Sequence, residues 1–171
     1  MQDIHLQELI ALSGPLPDEK IQTISSVAGG CIHQAWRIEL QNGKQLFAKT
    51  SPPEAFPILE CEANGLTALT QFANESSLII PKPLAISRLK SNAVLLLPWL
   101  NLKNGDQKNL GKGLALLHKK SSESNPKKFG WETRSFIGRG IQKRGWDVNW
   151  GKCFVNLRLI PQLEDASKWG L

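Results

Sequence analysis

The sequence predicts a mixed α+β chain: a five-stranded antiparallel sheet with one key helix, followed by a helical partial lobe. Three observations carry that expectation. Five short stretches rich in apolar and β-branched residues are separated by turn signals. Between Leu59 and Ala73 the apolar spacing changes from alternation to steps of three and four. Near residue 100 the composition shifts, and lysine, arginine and tryptophan accumulate. The elements suggest a first region over residues 1–100 and the incomplete start of a second over 101–171.

Taken in order, Ile4 to Leu12 reads as a short amphipathic helix ending near Ser13-Gly14-Pro15. Ile21 to Val27 has the β-branched content of a strand. Gly29-Gly30 permits a tight turn, and Ala35 to Leu40 alternates as a second strand. Asn42-Gly43 is a strong two-residue hairpin signal, leading to a third strand over Gln45 to Thr50. Leu59, Ala63, Leu66, Leu69 and Ala73 then define one apolar helix face, with Pro57 in the first turn, where proline is tolerated. Two strands follow, Leu84 to Ser87 and Ala93 to Pro98, joined near Ser91-Asn92. Asn101 to Lys108 reads as a linker. Leu110, Leu114 and Leu117 mark a helix to about Lys120 despite Gly111 and Gly113, and Ser121 to Lys128 reads as a polar loop. Phe154, Val155, Leu157 and Leu159 suggest a closing helix interrupted near Pro161.

With 171 residues, 41% of them hydrophobic, the chain can bury one sizeable core, or one small domain plus part of another. The longest apolar run, Ala93 to Leu97, is far too short to span a membrane. The N-terminus lacks a basic stretch followed by an apolar one, which argues against a secretory signal. Three widely spaced cysteines, Cys31, Cys61 and Cys153, suit neither a disulfide framework nor a zinc site and suggest a reducing cytoplasm. The three histidines are too scattered for a metal cluster. Residues 1–100 hold 7 Lys/Arg against 9 Asp/Glu, whereas residues 101–171 hold 14 against 6. So basic a second half suits an anionic substrate, an acidic partner or nucleic acid, or is simply a solvated face.

One constellation stands out. Backbone that closes over phosphates needs residues without a Cβ, which Gly29-Gly30 supply. Lys49 ends an apolar strand, where burying its charge requires a partner, and Glu62 adjoins the apolar face of the next helix. Singly, each has an ordinary explanation: a turn, an edge charge, a solvated glutamate. Together they form the order loop, lysine, carboxylate, in which an ion pair would fix the ammonium against the α- and β-phosphates of a nucleotide.

The residues Gly29-Gly30-Cys31-Ile32, Phe47-Ala48-Lys49, Glu60-Cys61-Glu62-Ala63-Asn64-Gly65-Leu66, Pro81-Lys82-Pro83 and Leu114-Ala115-Leu116-Leu117-His118 resemble the N-terminal part of the fructosamine kinase (ketosamine-3-kinase) family. Lys128-Phe129-Gly130-Trp131, Phe136-Ile137-Gly138, Trp146 with Trp150, Arg158-Leu159 and Gln162-Leu163 extend that resemblance. It implies the small lobe of a protein-kinase-like fold, and ATP- and Mg-dependent phosphorylation of ketosamines on glycated amines and proteins, a deglycation repair. By position, Gly29 and Gly30 would cover the nucleotide, Lys49 would bind its phosphates and Glu62 would hold Lys49. Leu97, Trp99 and Leu100 would form the hinge beside adenine. Pro98 in that hinge has no N–H to donate.

The departures also matter. No His-Gly-Asp or His-Arg-Asp catalytic loop and no later metal-binding Asp is present in the sequence. The expectation is therefore a chain truncated before its catalytic loop, with no catalytic or metal-ligating residue of its own and inactive alone. Arg134, Arg144 and Asn149 replace residues that the family pattern has as Asp, Asn and Asp. Cys31, beside the phosphate loop, is a redox candidate for an intermolecular disulfide; otherwise it is a small residue in a turn. His118 reads as structural. Trp146 and Trp150, one helical turn apart, would pack against a missing part. The competing reading is a non-catalytic interaction module or pseudokinase remnant, with exposed apolar surface around Trp146, Trp150, Phe154 and Leu157 to bind other chains or its own copies. Nucleic-acid binding is disfavoured.

Overall fold

The computed structural model describes residues 8–9, 14–16, 18–29, 32–124 and 127–170. The proposed N-terminal helix lies outside them except for Glu8 and Leu9, which are helical. The chain divides after Leu114 into two compact units.

The first unit is built on strands β1 (Ile21–Val27), β2 (Gln34–Leu40), β3 (Gln45–Ser51), β4 (Ala85–Arg88) and β5 (Ala93–Pro98). They form one sheet in the order β1-β2-β3-β5-β4, antiparallel throughout. Helix α1 (Phe56–Phe72) follows a single 3₁₀ turn at Pro53–Ala55 and carries Pro57 in its first turn. The Asn42-Gly43 hairpin closes through Gly43 N–H to Leu40 O and Leu40 N–H to Lys44 O, each 2.9 Å. Gly43 takes φ +83°, a conformation that glycine adopts without a Cβ penalty.

Both faces of this sheet are covered. Side chains alternate between faces, so Ile38, Leu40, Leu46, Ala48, Val94 and Leu96 share one face and cluster with Leu9 and Leu16. Leu95 and Leu97 lie on the other and pack with Leu59 and Ala63 of α1. The continuous run Ala93-Val94-Leu95-Leu96-Leu97 is apolar for that reason: every residue of it is buried, alternately toward one cluster and the other.

Helix α2 (Gln107–Ser124) begins where Asp106 caps it, accepting from Lys108 N–H at 2.9 Å. Gly113 is needed there: a Cβ would come within 2.8 Å of the Leu78 Cβ and 2.9 Å of the Ser77 carbonyl. The helix continues to Ser124 where a polar loop was expected from Ser121. The hydroxyls of Ser121, Ser122 and Ser124 turn back onto the carbonyls of His118, Lys119 and Lys120, a helical bonding mode that a composition argument misses. His118 is exposed on this helix.

The second unit holds two short antiparallel pairs. Strand β6 (Phe129–Trp131) pairs with β9 (Gly145–Asp147), and β7 (Ser135–Ile137) with β8 (Gly140–Gln142). Trp146 therefore sits in a strand, not one helical turn before Trp150, because the β6–β9 pairing runs to Asp147. Gly130 (φ +143°) and Gly145 (φ +148°) cross so closely that a Cβ on Gly130 would stand 2.0 Å from the Gly145 carbonyl oxygen. Helix α3 (Trp150–Phe154) passes through a π-helical turn, Val155–Leu159, into α4 (Ile160–Lys168). The interruption precedes Pro161, which occupies the first turn of α4.

Candidate functional site

Lys49 pairs in register with Ala35 on β2 and Leu95 on β5, so its side chain leaves the sheet on the face that α1 covers. On α1, Leu59 and Ala63 point into the core, and Glu62, three residues after Leu59, lies beside them on the same side. Lys49 Nζ donates to Glu62 Oε1, forming an ion pair in which each side chain is 28% exposed. The sheet register and the helical spacing together bring these two charges into contact, and they leave the pair open to solvent on one side.

Gly29 lies just past the end of β1 with φ +115°, and nothing lies within 4 Å of where its Cβ would be. Its glycine character follows from the backbone angle rather than from crowding. Gly30 and Cys31 fall outside the described residues.

The proposed hinge splits into two environments. Leu97 is buried in the α1 cluster, whereas Trp99 and Leu100 are half-buried. Trp99 donates its N–H to Gln45 O (3.3 Å) and its indole Nε1–H to Asn101 Oδ1 (3.0 Å). Leu96 turns its carbonyl to the N–H of Leu84 on the β4 side, 2.8 Å away. Since backbone groups alternate between the two edges of a strand, the Pro98 carbonyl faces away from β3. The missing proline N–H therefore removes nothing from the β3 ladder.

Sequence reasoning gave no site role to three residues beside this constellation, Arg37, Phe47 and His33. Arg37 pairs with Phe47 and so shares the Lys49 face. Its guanidinium lies 4.9 Å from the Trp99 ring centroid, and its buried Nε has no hydrogen-bond partner. Phe47 meets Trp99 with ring centroids 6.3 Å apart. The alternation along β2 and β3 could have placed Arg37, Phe47 and Lys49 on one face, but only the fold brings Trp99 over them. His33 is bonded to Ser51, two residues past Lys49.

Of the departures, Asn149 has a structural role: its Oδ1 accepts from Lys152 N–H at 3.0 Å and caps α3. Asn caps a helix as well as Asp does. Arg134 lies 5.8 Å from the Phe136 ring centroid, and nothing in the structure explains Arg144. Cys61 and Cys153 are free thiols. Among the described residues no group of three or more His, Cys, Asp or Glu could hold a metal ion, and no helix is long and apolar enough to cross a membrane.

A five-stranded antiparallel sheet whose third strand presents a lysine to a carboxylate on the following helix defines the class: the small lobe of a protein-kinase-like fold. The profile of the fructosamine kinase family matches residues 7–171, and the chain belongs to that family. It is 29% identical over 152 residues to the "Probable ketoamine kinase" of Synechocystis sp., covering 87% of this chain and 49% of that protein. It is 30% identical over 148 residues to the "Protein-ribulosamine 3-kinase, chloroplastic" of Oryza sativa subsp. indica, covering 85% and 42%. The chain thus spans about half the length of the curated relatives it matches. Among solved structures, the "Putative fructosamine-3-kinase" of Haemophilus somnus superposes with a TM-score of 0.76 at 22% identity, over 89% of this chain and 50% of that one. That likeness speaks to the fold.

Proposed function

We propose that the chain carries the nucleotide-binding part of an ATP-dependent ketosamine kinase, with residues 1–100 as the nucleotide-side lobe and 101–171 as the start of a helical second lobe. The observation that carries this reading is the Lys49–Glu62 ion pair on the sheet face that α1 covers. A paired ammonium is held in place yet keeps donors for phosphate oxygens, and each side chain is more than a quarter exposed, so solvent-borne phosphates can reach it. The glycine loop would cover those phosphates. Leu97, Trp99 and Leu100 would border the base, and the Pro98 carbonyl could accept from its exocyclic amine.

The substrates would be sugars attached to amines by glycation, phosphorylated in the reducing cytoplasm that the free thiols suit. Mg finds no ligand set among the described residues, so no step is assigned to it. No base is assigned either, and the 171-residue chain is expected to transfer no phosphate to a ketosamine by itself.

ATP titration followed by tryptophan fluorescence or calorimetry tests the nucleotide reading. Lys49→Ala is expected to weaken ATP binding by at least about tenfold, and Glu62→Gln by somewhat less. Both should leave the melting temperature nearly unchanged, because a partly exposed pair contributes only about 0–1 kcal/mol to stability. ATP affinity that is indifferent to both substitutions would remove the reading.

A second reading, a non-catalytic interaction module, is favoured by one observation. Trp146, Trp150 and Phe154 are exposed, as are Leu159 and Leu163, whereas Leu157, expected in the same patch, is half-buried beside Gly145. A discrete oligomer in light scattering would support it, and a monomer at high concentration would count against it.

A further inference from the structure

Ser51 is the one polar residue buried as a whole among the described residues, 5% exposed. It ends β3, two residues past Lys49, and therefore lies on the same face of the sheet. A hydroxyl withdrawn from water needs a partner, and Ser51 Oγ finds one in Nδ1 of His33. His33 immediately precedes β2, at the exit of the β1–β2 connection to which Gly29 belongs. Residues two apart along a strand are about 6.6–7 Å apart, so this bond ties the exit of the glycine loop to β3 within a side-chain length of the Lys49 Cα.

The bond is also confined to one end of the site. Ser51 pairs with Ala93 at the start of β5, whereas the hinge begins at Leu97, four residues and about 13 Å further along that strand.

We infer that His33 is a positioning residue for the triphosphate site, holding the start of β2 against the end of β3 at a fixed distance from Lys49 so that a nucleoside triphosphate meets that lysine already in place. This rests on the nucleotide reading above and adds a residue and a task to it. Preorganising the strand ends around Lys49 lowers the ordering cost that a bound triphosphate would otherwise carry. The effect belongs to the phosphates and not to the base.

The test is a calorimetric or NMR titration of the 171-residue chain with ATP and, separately, with adenosine. His33→Ala and Ser51→Ala should each weaken ATP binding by about tenfold while adenosine binding stays unchanged. His33→Asn, whose amide can still bond the Ser51 hydroxyl, should recover most of the ATP affinity. Equal weakening for both ligands, or no weakening for ATP, overturns the inference and leaves the nucleotide reading standing. Absence of ATP binding by the unsubstituted chain overturns the reading and the inference together. Ser51→Ala removes only a hydroxyl and leaves no orphaned donor on the strand, so it carries the test if His33→Ala fails to fold.

Discussion

The two units of this chain are held together by different means. The largest fully buried side chains, Ile38, Leu40, Leu46, Leu59, Val94, Leu95 and Leu96, all belong to the first unit. In the second, Leu117, Cys153 and Pro161 are buried, while Trp146, Trp150, Phe154, Leu163 and Trp169 are exposed. The first unit has a double-sided core, and its ion pair rides on that core. The second relies on local devices: the Gly130–Gly145 crossing, the Asn149 cap, the Trp150–Phe154 stack with ring centroids 5.2 Å apart, and Arg158 bonded to the Lys143 carbonyl at 2.9 Å. Hydrophobic burial makes a region tolerant of surface change and sensitive to cavities. Local devices invert both sensitivities.

Four substitutions probe that contrast, beginning with the largest effect. Leu95→Ala removes a fully buried side chain between β3, β4 and α1 and should cost about 2–5 kcal/mol in urea denaturation. A loss below about 1 kcal/mol would show that the α1 face is loosely packed. Gly130→Ala should destabilise the second unit by about 1–3 kcal/mol, because the new Cβ meets a backbone oxygen and φ +143° is strained for alanine. Limited proteolysis between residues 127 and 170 would register that loss, and unchanged protection would contradict the crossing geometry.

Arg37→Met sets two terms against each other. The cation over Trp99 contributes about 0.5–1 kcal/mol, and a buried N–H without a partner costs about 1–3 kcal/mol. The second term is the larger, so the variant should melt at or above the temperature of the unsubstituted chain. A clear drop would mean that Arg37 has a partner in solution. Leu163→Lys, at a position 65% exposed, should change stability by no more than about 0.5 kcal/mol. A larger loss would reveal that the face is covered in solution, and self-association would then be the first thing to measure.

The sequence and the structure agree where a pattern is local and repeated. The Asn42-Gly43 hairpin, the period of α1 with Pro57 in its first turn, and the five strand segments all emerge from spacing, with β4 displaced by one residue to Ala85–Arg88. They diverge where local chemistry overrides composition. Serines read as a loop instead extend α2, because their hydroxyls bond back to the helix carbonyls. The strands β6 to β9 are three residues each, too short to show an alternation, and Gly130 and Gly145 serve a backbone crossing rather than a turn.

For the candidate site the division is similar. Sequence alone determined that a glycine pair, Lys49 and Glu62 follow one another at intervals of a hairpin and a helical turn, because strand alternation and helix period fix which side each residue faces. Only the tertiary structure decided that Arg37 lies over Trp99 and that His33 reaches Ser51. Those contacts join residues 62 and 18 positions apart, and no local period links such partners until the strands are laid side by side.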